Sequence, residues 1–157
     1  MINTSLCYIK CNNKVLMLHR TKKHADPNEG KWIGIGGKFL ENESPEECML
    51  REVKEETGIT LNSWKYRGIV TFVSDKWEGE YMHLFTANTE NEILCKCDEG
   101  ELCWIDEERI LDLNLWEGDR VFLELISKDE PFFSLKLSYE GEKLVGACLN
   151  GAAVFGV

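Results

Sequence analysis

The segment from Ser44 to Gly58 carries the strongest structural signals in this chain of 157 residues. Ser44 suits the N-cap of a helix, Pro45 suits its first position, and Glu47 completes the S-x-x-E pattern of a capping box. Gly58 suits the position after the last turn, where a left-handed backbone ends a helix. Four side chains form the face that we expect to pack inward: Met49, Leu50, Val53 and Thr57.

The same helix carries three glutamates within five residues: Glu52, Glu55 and Glu56. At 3.6 residues per turn all three project from one side, although like charges at these spacings destabilise a helix. One interpretation is a solvated acidic face that is balanced by Lys54 and Arg51. The other is a set of hard oxygen ligands, which suit Mg²⁺ or Mn²⁺.

Length and charge limit the classes of function. A chain of 157 residues predicts one domain over residues 1–157. The net charge of −10 argues against a nucleic-acid polymer as the partner. No apolar run reaches the roughly 20 residues that cross a bilayer, and the first residues lack the features of a signal peptide. We therefore expect no membrane partner, a cytoplasmic location, and a monomer or homodimer.

Seven cysteines raise the question of disulfides or zinc. Their number is odd, no C-x-x-C pair occurs, and Cys95-x-Cys97 has no second cysteine pair at zinc-site spacing. Most of them lie in apolar or alternating segments, where free cysteine behaves as a small buried hydrophobe. We expect buried, reduced thiols.

Alternating and turn-forming patterns predict the other elements. A hairpin turn is expected at Asn12 and Asn13, and another around Glu140 and Gly141. Asp106 suits the N-cap of a short helix. We expect strands over 3–11, 14–20, 64–74, 80–88 and 101–105, and helices over 107–112 and about 119–127. Because strands and helices alternate without a βαβ rhythm, the pattern predicts an α/β (α+β) fold in which a mixed sheet carries helices on its faces.

The residues from Gly37 to Ile59 follow one longer pattern, G-x5-E-x7-R-E-U-x-E-E-x-G-U, where U is a bulky aliphatic residue. This pattern resembles the Nudix box, the signature of the Nudix hydrolases. The resemblance implies an α/β/α sandwich and a Mg²⁺ or Mn²⁺ cofactor that is held by four residues: Gly37, through its carbonyl, Glu52, Glu55 and Glu56. Arg51 can pair with Glu43 or Glu55 and hold the ligands in place.

Outside this motif the chain resembles the MutT-type branch of the family, which hydrolyses oxidised purine nucleoside triphosphates. The likeness lies in G-K-W-I-G-I-G-G-K from Gly30 to Lys38, C-D-E-G-E-L-C-W from Cys97 to Trp104, and L-W-E-G-D from Leu115 to Asp119. It implies a further acidic residue near the metals at Glu99. It also implies six substrate-contacting positions: Lys23, Trp32, Ile33, Lys38, Trp116 and Asp119.

Each of these positions also has a plain structural interpretation. Trp32 and Trp116 are aromatic residues of the kind that fill cores, and Asp119 could be the N-cap of the last helix. Glu99 and Lys23 could be solvated surface residues. Ile33 stands where the mammalian enzyme has an asparagine that helps to read the purine edge. An alkyl side chain cannot form that hydrogen bond, so part of the base reading is lost or moved elsewhere.

The sequence therefore predicts Mg²⁺-dependent hydrolysis of a nucleoside triphosphate, such as 8-oxo-dGTP, to the monophosphate and pyrophosphate. Arg51, Glu55, Glu56 and Glu99 are the expected catalytic residues, with either Glu55 or Glu99 as the general base. Two alternatives remain. The substrate could be another diphosphate compound, such as a nucleotide sugar, ADP-ribose or a dinucleotide polyphosphate. The domain could also be a ligand-sensing module without catalysis.

Overall fold

The computed structural model describes residues 1–21, 26–90, 92, 97 and 99–156, and its account of side chains ends at residue 154. These residues form one mixed sheet of ten strands, two α-helices and one 3-10 helix. The strands are β1 (Ile2–Cys11), β2 (Lys14–Arg20), β3 (Trp32–Ile33), β4 (Ile35–Lys38), β5 (Lys65–Ser74), β6 (Glu80–Asn88), β7 (Gly100–Asp106), β8 (Phe133–Glu140), β9 (Lys143–Leu149) and β10 (Ala152–Gly156). The helices are α1 (Pro45–Thr57) and α2 (Glu117–Ser127), and the 3-10 helix spans Glu107–Asp112.

The sheet branches at β1. On one edge β1 runs parallel to β6, and along its other edge it pairs antiparallel with two strands in succession. Residues 10 and 11 pair with β2 next to the hairpin turn, whereas residues 4–7 pair with β4. β2 is then free to pair with β7 along its whole length. This branching places β4, which contains Gly37, beside the first half of β1.

Alternate residues of β1 supply two separate cores, one on each face of the sheet. Leu6 and Tyr8 belong to the core that contains Phe122 of α2. Cys7 and Ile9 belong to the core that contains Met49 and Val53 of α1, among others. Since side chains alternate across a strand, a helix packs on each face of the sheet. The predicted sandwich of helices around a mixed sheet is confirmed.

The local turn and helix signals correspond closely to the observed elements. Asn12 has a φ of 56° and Gly141 a φ of 59°, so both predicted hairpin turns are confirmed. The short helix after β7 is of the 3-10 type, and Asp106 makes no side-chain capping bond to it, which corrects the predicted cap. The backbone of Asp106, with a φ of −53° and a ψ of 131°, is not helical, so this residue lies just before the 3-10 helix.

The start of α2 also differs from the expectation. The helix begins at Glu117, and Trp116 occupies the N-cap position with extended backbone angles. The carbonyl of Trp116 accepts a bond of 3.0 Å from the backbone N–H of Asp119. Asp119 therefore lies in the first turn of the helix, and the alternative role of this residue as the N-cap is wrong.

The cysteines of the described segments are free, as predicted. Cys7, Cys11, Cys48 and Cys97 are buried, and Cys103 and Cys148 are half-buried. Cys95 lies outside the described residues. None of the helices in the ranges that the structure describes is long and apolar enough to cross a bilayer.

Candidate functional site

The capping pattern at the start of α1 forms as the sequence predicts. The Ser44 hydroxyl accepts a bond of 3.1 Å from the Glu47 backbone N–H, and the Glu47 carboxylate accepts one of 3.0 Å from the Ser44 N–H. At the other end Gly58 has a φ of 79°, and its N–H donates to the Lys54 carbonyl. These bonds fix both ends of the helix and thereby the positions of the glutamates on it.

The three glutamates of α1 differ strongly in exposure. The side chain of Glu55 is 61% exposed and that of Glu52 is 15% exposed. Glu56, only one residue after Glu55, is buried. The expected single acidic face is thus only partly correct, because a step of about 100° along the helix turns Glu56 from solvent toward the sheet.

Arg51 holds the exposed side of this cluster together. Its Nε and Nη2 atoms donate to the two carboxylate oxygens of Glu43 at 2.7 and 2.9 Å. Its Nη1 atom donates to Glu52 at 2.8 Å and to Glu55 at 3.2 Å. Hydrogen bonding by Arg51 lowers the pKa of Glu43 to about 2. Both partners expected for Arg51 are therefore found, and Glu52 is a third.

Gly37 lies directly against the carboxylate of Glu52. A Cβ atom at residue 37 would stand 2.5 Å from Cδ of Glu52 and 2.6 Å from its Oε1. Real Cβ atoms are not found at such distances, so any larger residue at position 37 would displace the flexible Glu52 carboxylate. The backbone of residue 37 therefore lies directly beside the Glu52 carboxylate.

Glu56 meets a second acid, Glu99, which comes from the residues just before β7. Burial, followed by the hydrogen bond and the charge of Glu99, raises the pKa of Glu56 to about 9. Burial also raises the pKa of Glu52, and the charges of Glu55 and Glu99 add to this effect. The cluster thus holds more carboxyl groups than its neighbouring cations keep ionised.

This donor set fits a hard divalent cation. Carboxylate and carbonyl oxygens are the ligands of Mg²⁺ and Mn²⁺, and a cation would relieve the repulsion that raises these pKa values. As the side chains stand, however, no three acidic, imidazole or thiol side chains of the described residues are arranged as a metal site. Arg51 binds Glu52 and Glu55 instead, so a bound cation would compete with this arginine for both.

A cleft of about 620 Å³ extends from this cluster across the sheet. Its acidic part is formed by Gly37, Glu52 and Glu99, and its aromatic part by Phe72, Trp116 and Tyr139. In the aromatic part the Trp116 ring meets the edges of Phe72 and Tyr139 at centroid distances of 5.9 and 5.1 Å. The cleft therefore has an acidic end and an aromatic end.

Asp119 lines this cleft although it is only 7% exposed. Burial raises its pKa to about 8, the positive charge of Lys31 opposes this shift, and the charge of Glu80 adds to it. Glu80, from β6, also lines the cleft, and burial raises its pKa as well. Two carboxyl groups on different elements thus meet the aromatic part.

The other residues predicted for substrate contact are divided between the cleft and its surroundings. Ile33, Lys38 and Trp116 line the cleft. Trp32 is not part of its wall, and its ring is stacked on His19 at a centroid distance of 4.4 Å. The wall of the cleft does not include Arg51, Glu55 or Glu56 either, and Arg51 and Glu55 are paired with each other. Lys23 lies outside the described residues.

Several polar residues of the cleft were not identified from the sequence, among them Arg20, Asp26, Asn28 and Glu80. Arg20 pairs with Asp26 at 2.7 Å and with Glu99 at 3.1 Å. Asn28 accepts a bond of 2.9 Å from the indole N–H of Trp116. In the sequence Asp26, Pro27 and Asn28 indicate only a turn, because their partners are far away along the chain.

Known proteins resemble this chain in sequence and in fold. A Bacillus subtilis protein named "Uncharacterized Nudix hydrolase YvcI" is 29% identical over 142 residues, which cover 87% of this chain and 85% of that protein. The oxidized purine nucleoside triphosphate hydrolase of Danio rerio is 27% identical over 120 residues, 74% of each chain. The crystal structure of a MutT protein from Bacillus halodurans has a TM-score of 0.84 at 24% identity, and the match covers 96% of this chain and 98% of that one.

The family model of the NUDIX domain matches residues 2–126. This range contains the whole of α1 with its glutamates, as well as Glu99 and Asp119, whereas β8, β9 and β10 lie beyond it. The pattern from Gly37 to Ile59, the sandwich fold and this match lead to one conclusion: the chain belongs to the Nudix hydrolase family.

Proposed function

We propose that the protein hydrolyses a nucleoside triphosphate to the monophosphate and pyrophosphate, and that its substrate is an oxidised purine nucleotide such as 8-oxo-dGTP. Such an activity would remove damaged precursors from the nucleotide pool. The observation that carries the proposal is the single cleft in which Glu52 and Glu99 share a surface with Trp116 and Asp119. A triphosphate would occupy the acidic part, and the base would lie in the aromatic part.

Nudix hydrolases generally use divalent cations, and the residues present fit one. Glu52, Glu56 and the Gly37 carbonyl would hold Mg²⁺ or Mn²⁺ here, with Glu55 as a further ligand. When bound, the cation neutralises charge on the phosphates and lowers the pKa of the attacking water. Without the cation, the acidic part of the cleft would repel the triphosphate, because both are negatively charged.

Glu99 and Glu55 are the two candidates for the general base. Glu99 lines the cleft, and Arg20 fixes one of its oxygens at 3.1 Å. Glu55 is largely exposed and is bonded to Arg51. This difference supports Glu99 over Glu55 as the general base that takes a proton from water, because a base must reach the reacting atoms within hydrogen-bond distance.

The aromatic part would select the base. The carbonyl oxygen of the Asp119 carboxyl group can accept hydrogen bonds from purine N–H groups even when the group is protonated, and the surrounding rings favour a planar ligand. A site that is built on buried polar groups rejects ligands that leave those groups unpaired. Since Ile33 offers no polar atom, we expect a modest preference for 8-oxo-dGTP over dGTP.

The test is a substrate screen with Mg²⁺ that measures kcat/KM for 8-oxo-dGTP, dGTP, dATP, UDP-glucose, ADP-ribose and a dinucleotide polyphosphate. We expect a triphosphate to be preferred, and we expect Asp119→Ala to flatten the ranking of bases while metal dependence persists. A preference for a sugar nucleotide, ADP-ribose or a dinucleotide would establish the first alternative. Tight binding without turnover of any compound would establish a sensing module.

A further inference from the structure

We propose that Asn28 supplies the amide that reads the base, donating a hydrogen bond from its Nδ2 atom to the O6 atom of a 6-oxopurine. This inference rests on the proposed function, because it assigns the specificity of the same cleft.

The orientation of the Asn28 amide follows from its partner. The indole Nε1–H of Trp116 lies 2.9 Å from Oδ1 of Asn28. An indole nitrogen can only donate, so the oxygen of the amide must face Trp116 and the NH₂ group must face away. No acceptor within the described parts of the chain is bonded to this NH₂ group. Asn28 lines the cleft, and we infer that this NH₂ group serves there as a donor to a ligand.

The loop that carries Asn28 is fixed on both sides. The backbone N–H of Asn28 donates to Oδ1 of Asp26 at 3.2 Å, and Asp26 is itself paired with the buried Arg20. The carbonyl of Asn28 accepts a bond of 2.8 Å from the N–H of Lys31, whose ammonium lies 5.2 Å above the Trp116 ring. These contacts preorganise the amide, as recognition by a single neutral hydrogen bond requires.

The neighbouring acids determine which base edge complements this donor. Asp119 and Glu80 offer carboxyl oxygens in the same cleft. A 6-oxopurine such as guanine presents O6, an acceptor, next to the N1–H and N2–H₂ donors, which match an amide donor beside carboxyl oxygens. Adenine presents N6–H₂ in place of O6, and two donors would then face each other. A cleft that combines the Asn28 donor with the carboxyl oxygens of Asp119 and Glu80 therefore favours 6-oxopurines.

The test exchanges the donor for an acceptor. Asn28→Asp keeps an oxygen for the Trp116 indole N–H but replaces the NH₂ group with a second oxygen. Binding of GMP, AMP and 6-thio-GMP is measured by calorimetry, since monophosphates bind without turnover. We expect the wild type to prefer GMP over both other ligands, and Asn28→Asp to shift the GMP-to-AMP affinity ratio by about 10-fold or more toward AMP.

Two further variants keep the test decisive. Asn28→Leu, of similar shape, should lose the preference for GMP without gaining AMP affinity, and it serves if the aspartate variant does not fold. Asn62→Asp adds the same charge at an exposed position and should keep the wild-type ratio. An unchanged ratio in both Asn28 variants would show that Asn28 only supports Trp116. A wild type that binds GMP and AMP equally would overturn the inference as well.

The outcomes also separate this inference from the proposed function. If the Asn28 variants change the GMP-to-AMP ratio but no triphosphate is hydrolysed, the base-reading role stands and the proposed activity is wrong. If triphosphates are hydrolysed and the ratio is insensitive to Asn28, the activity stands and the amide assignment is wrong.

Discussion

The Nη1 atom of Arg20 donates a hydrogen bond of 3.1 Å to Oε2 of Glu99, a residue 79 positions later in the chain. The other terminal nitrogen of the same guanidinium lies 2.7 Å from Asp26. The side chains of Arg20 and Asp26 are only 10% and 7% exposed, whereas that of Glu99 is 34% exposed, so the cluster is shielded from solvent at its Arg20–Asp26 pair. Through Asp26, the cluster links the acid proposed as the general base to the loop that carries Asn28.

We expect Arg20→Met to lower the free energy of unfolding by about 3 kcal/mol or more, because it leaves the buried Asp26 carboxylate without its cation. Arg20→Lys should lower the free energy of unfolding by less, because lysine keeps the positive charge although it lacks the planar guanidinium group that bonds both partners. Urea denaturation at neutral pH measures both effects.

Arg67→Met is the matched control for this experiment. Arg67 also pairs with an aspartate, but the side chain of its partner Asp129 is 70% exposed. Solvated pairs of this kind contribute about 1 kcal/mol or less. Equal losses in the two methionine variants would show that the Arg20 cluster is not effectively buried.

Gly37→Ala should lower kcat by about 100-fold while the fold persists. The added Cβ would stand 2.5 Å from the carboxylate carbon of Glu52, so this flexible side chain must move away from its position. A displacement of about 1 Å in a catalytic arrangement commonly costs that much activity. Steady-state kinetics with Mg²⁺ and a thermal melt make the comparison.

Gly79→Ala provides a control of the same size. A Cβ at residue 79 would meet the end of the Met1 side chain, which can turn aside, and would lie 3.1 Å from the Phe72 carbonyl, which needs to give way by only a few tenths of an ångström. We expect near wild-type kcat. Full activity in Gly37→Ala would show that neither Glu52 nor the Gly37 carbonyl is needed to hold the cation.

Mg²⁺ or Mn²⁺ should raise the melting temperature of the wild type, because a ligand that binds only the folded state stabilises it. Glu56→Gln should abolish this shift and lower kcat by about 100-fold or more. EDTA should abolish activity. Because burial and Glu99 raise the pKa of Glu56, the uncharged glutamine should not destabilise the metal-free protein at neutral pH.

Glu41→Gln, at an exposed position before α1, is the control and should keep both the thermal shift and the activity. Unfolding of Glu56→Gln without metal would point to a structural role for this carboxyl group. Activity that survives EDTA would contradict the cation requirement.

Asp119 should make the stability of the protein fall as the pH rises. Burial raises its pKa from 3.8 to about 8, so the folded state holds a proton that the unfolded state releases from about pH 4 upward. The stabilisation by Asp119 is complete below the pKa of the unfolded state and is lost as the pH rises through the pKa of the folded state. In Asp119→Asn the free energy of unfolding should therefore decline less between pH 4 and 8.

Asp129→Asn should change the pH dependence of the free energy of unfolding in the opposite direction. Hydrogen bonds from Arg67 and Lys65 lower the pKa of Asp129, so the stability it provides is present above its ordinary pKa and is lost at more acidic pH. Urea denaturation across the pH range compares the two variants. Parallel profiles for the wild type and Asp119→Asn would show that Asp119 is not buried as an acid.

The sequence by itself determined the features that depend on neighbouring residues. Ser44, Pro45, Glu47 and Gly58 specify the ends of α1, because capping bonds join residues only three or four positions apart. The turn at Asn12 and Asn13 likewise depends on local backbone preferences. The box from Gly37 to Ile59 combined such local signals with a spacing of ligands, and for this reason it identified the family.

Only the tertiary structure decided how the site is assembled. Glu55 and Glu56 are adjacent in sequence, yet one is exposed and the other is buried, since burial depends on what packs against α1. Arg20 meets Glu99 across 79 positions, and Asn28 meets Trp116 across 88. The sheet order brings these pairs together, and no local pattern encodes it, because a long-range hydrogen bond leaves no periodic trace in the sequence.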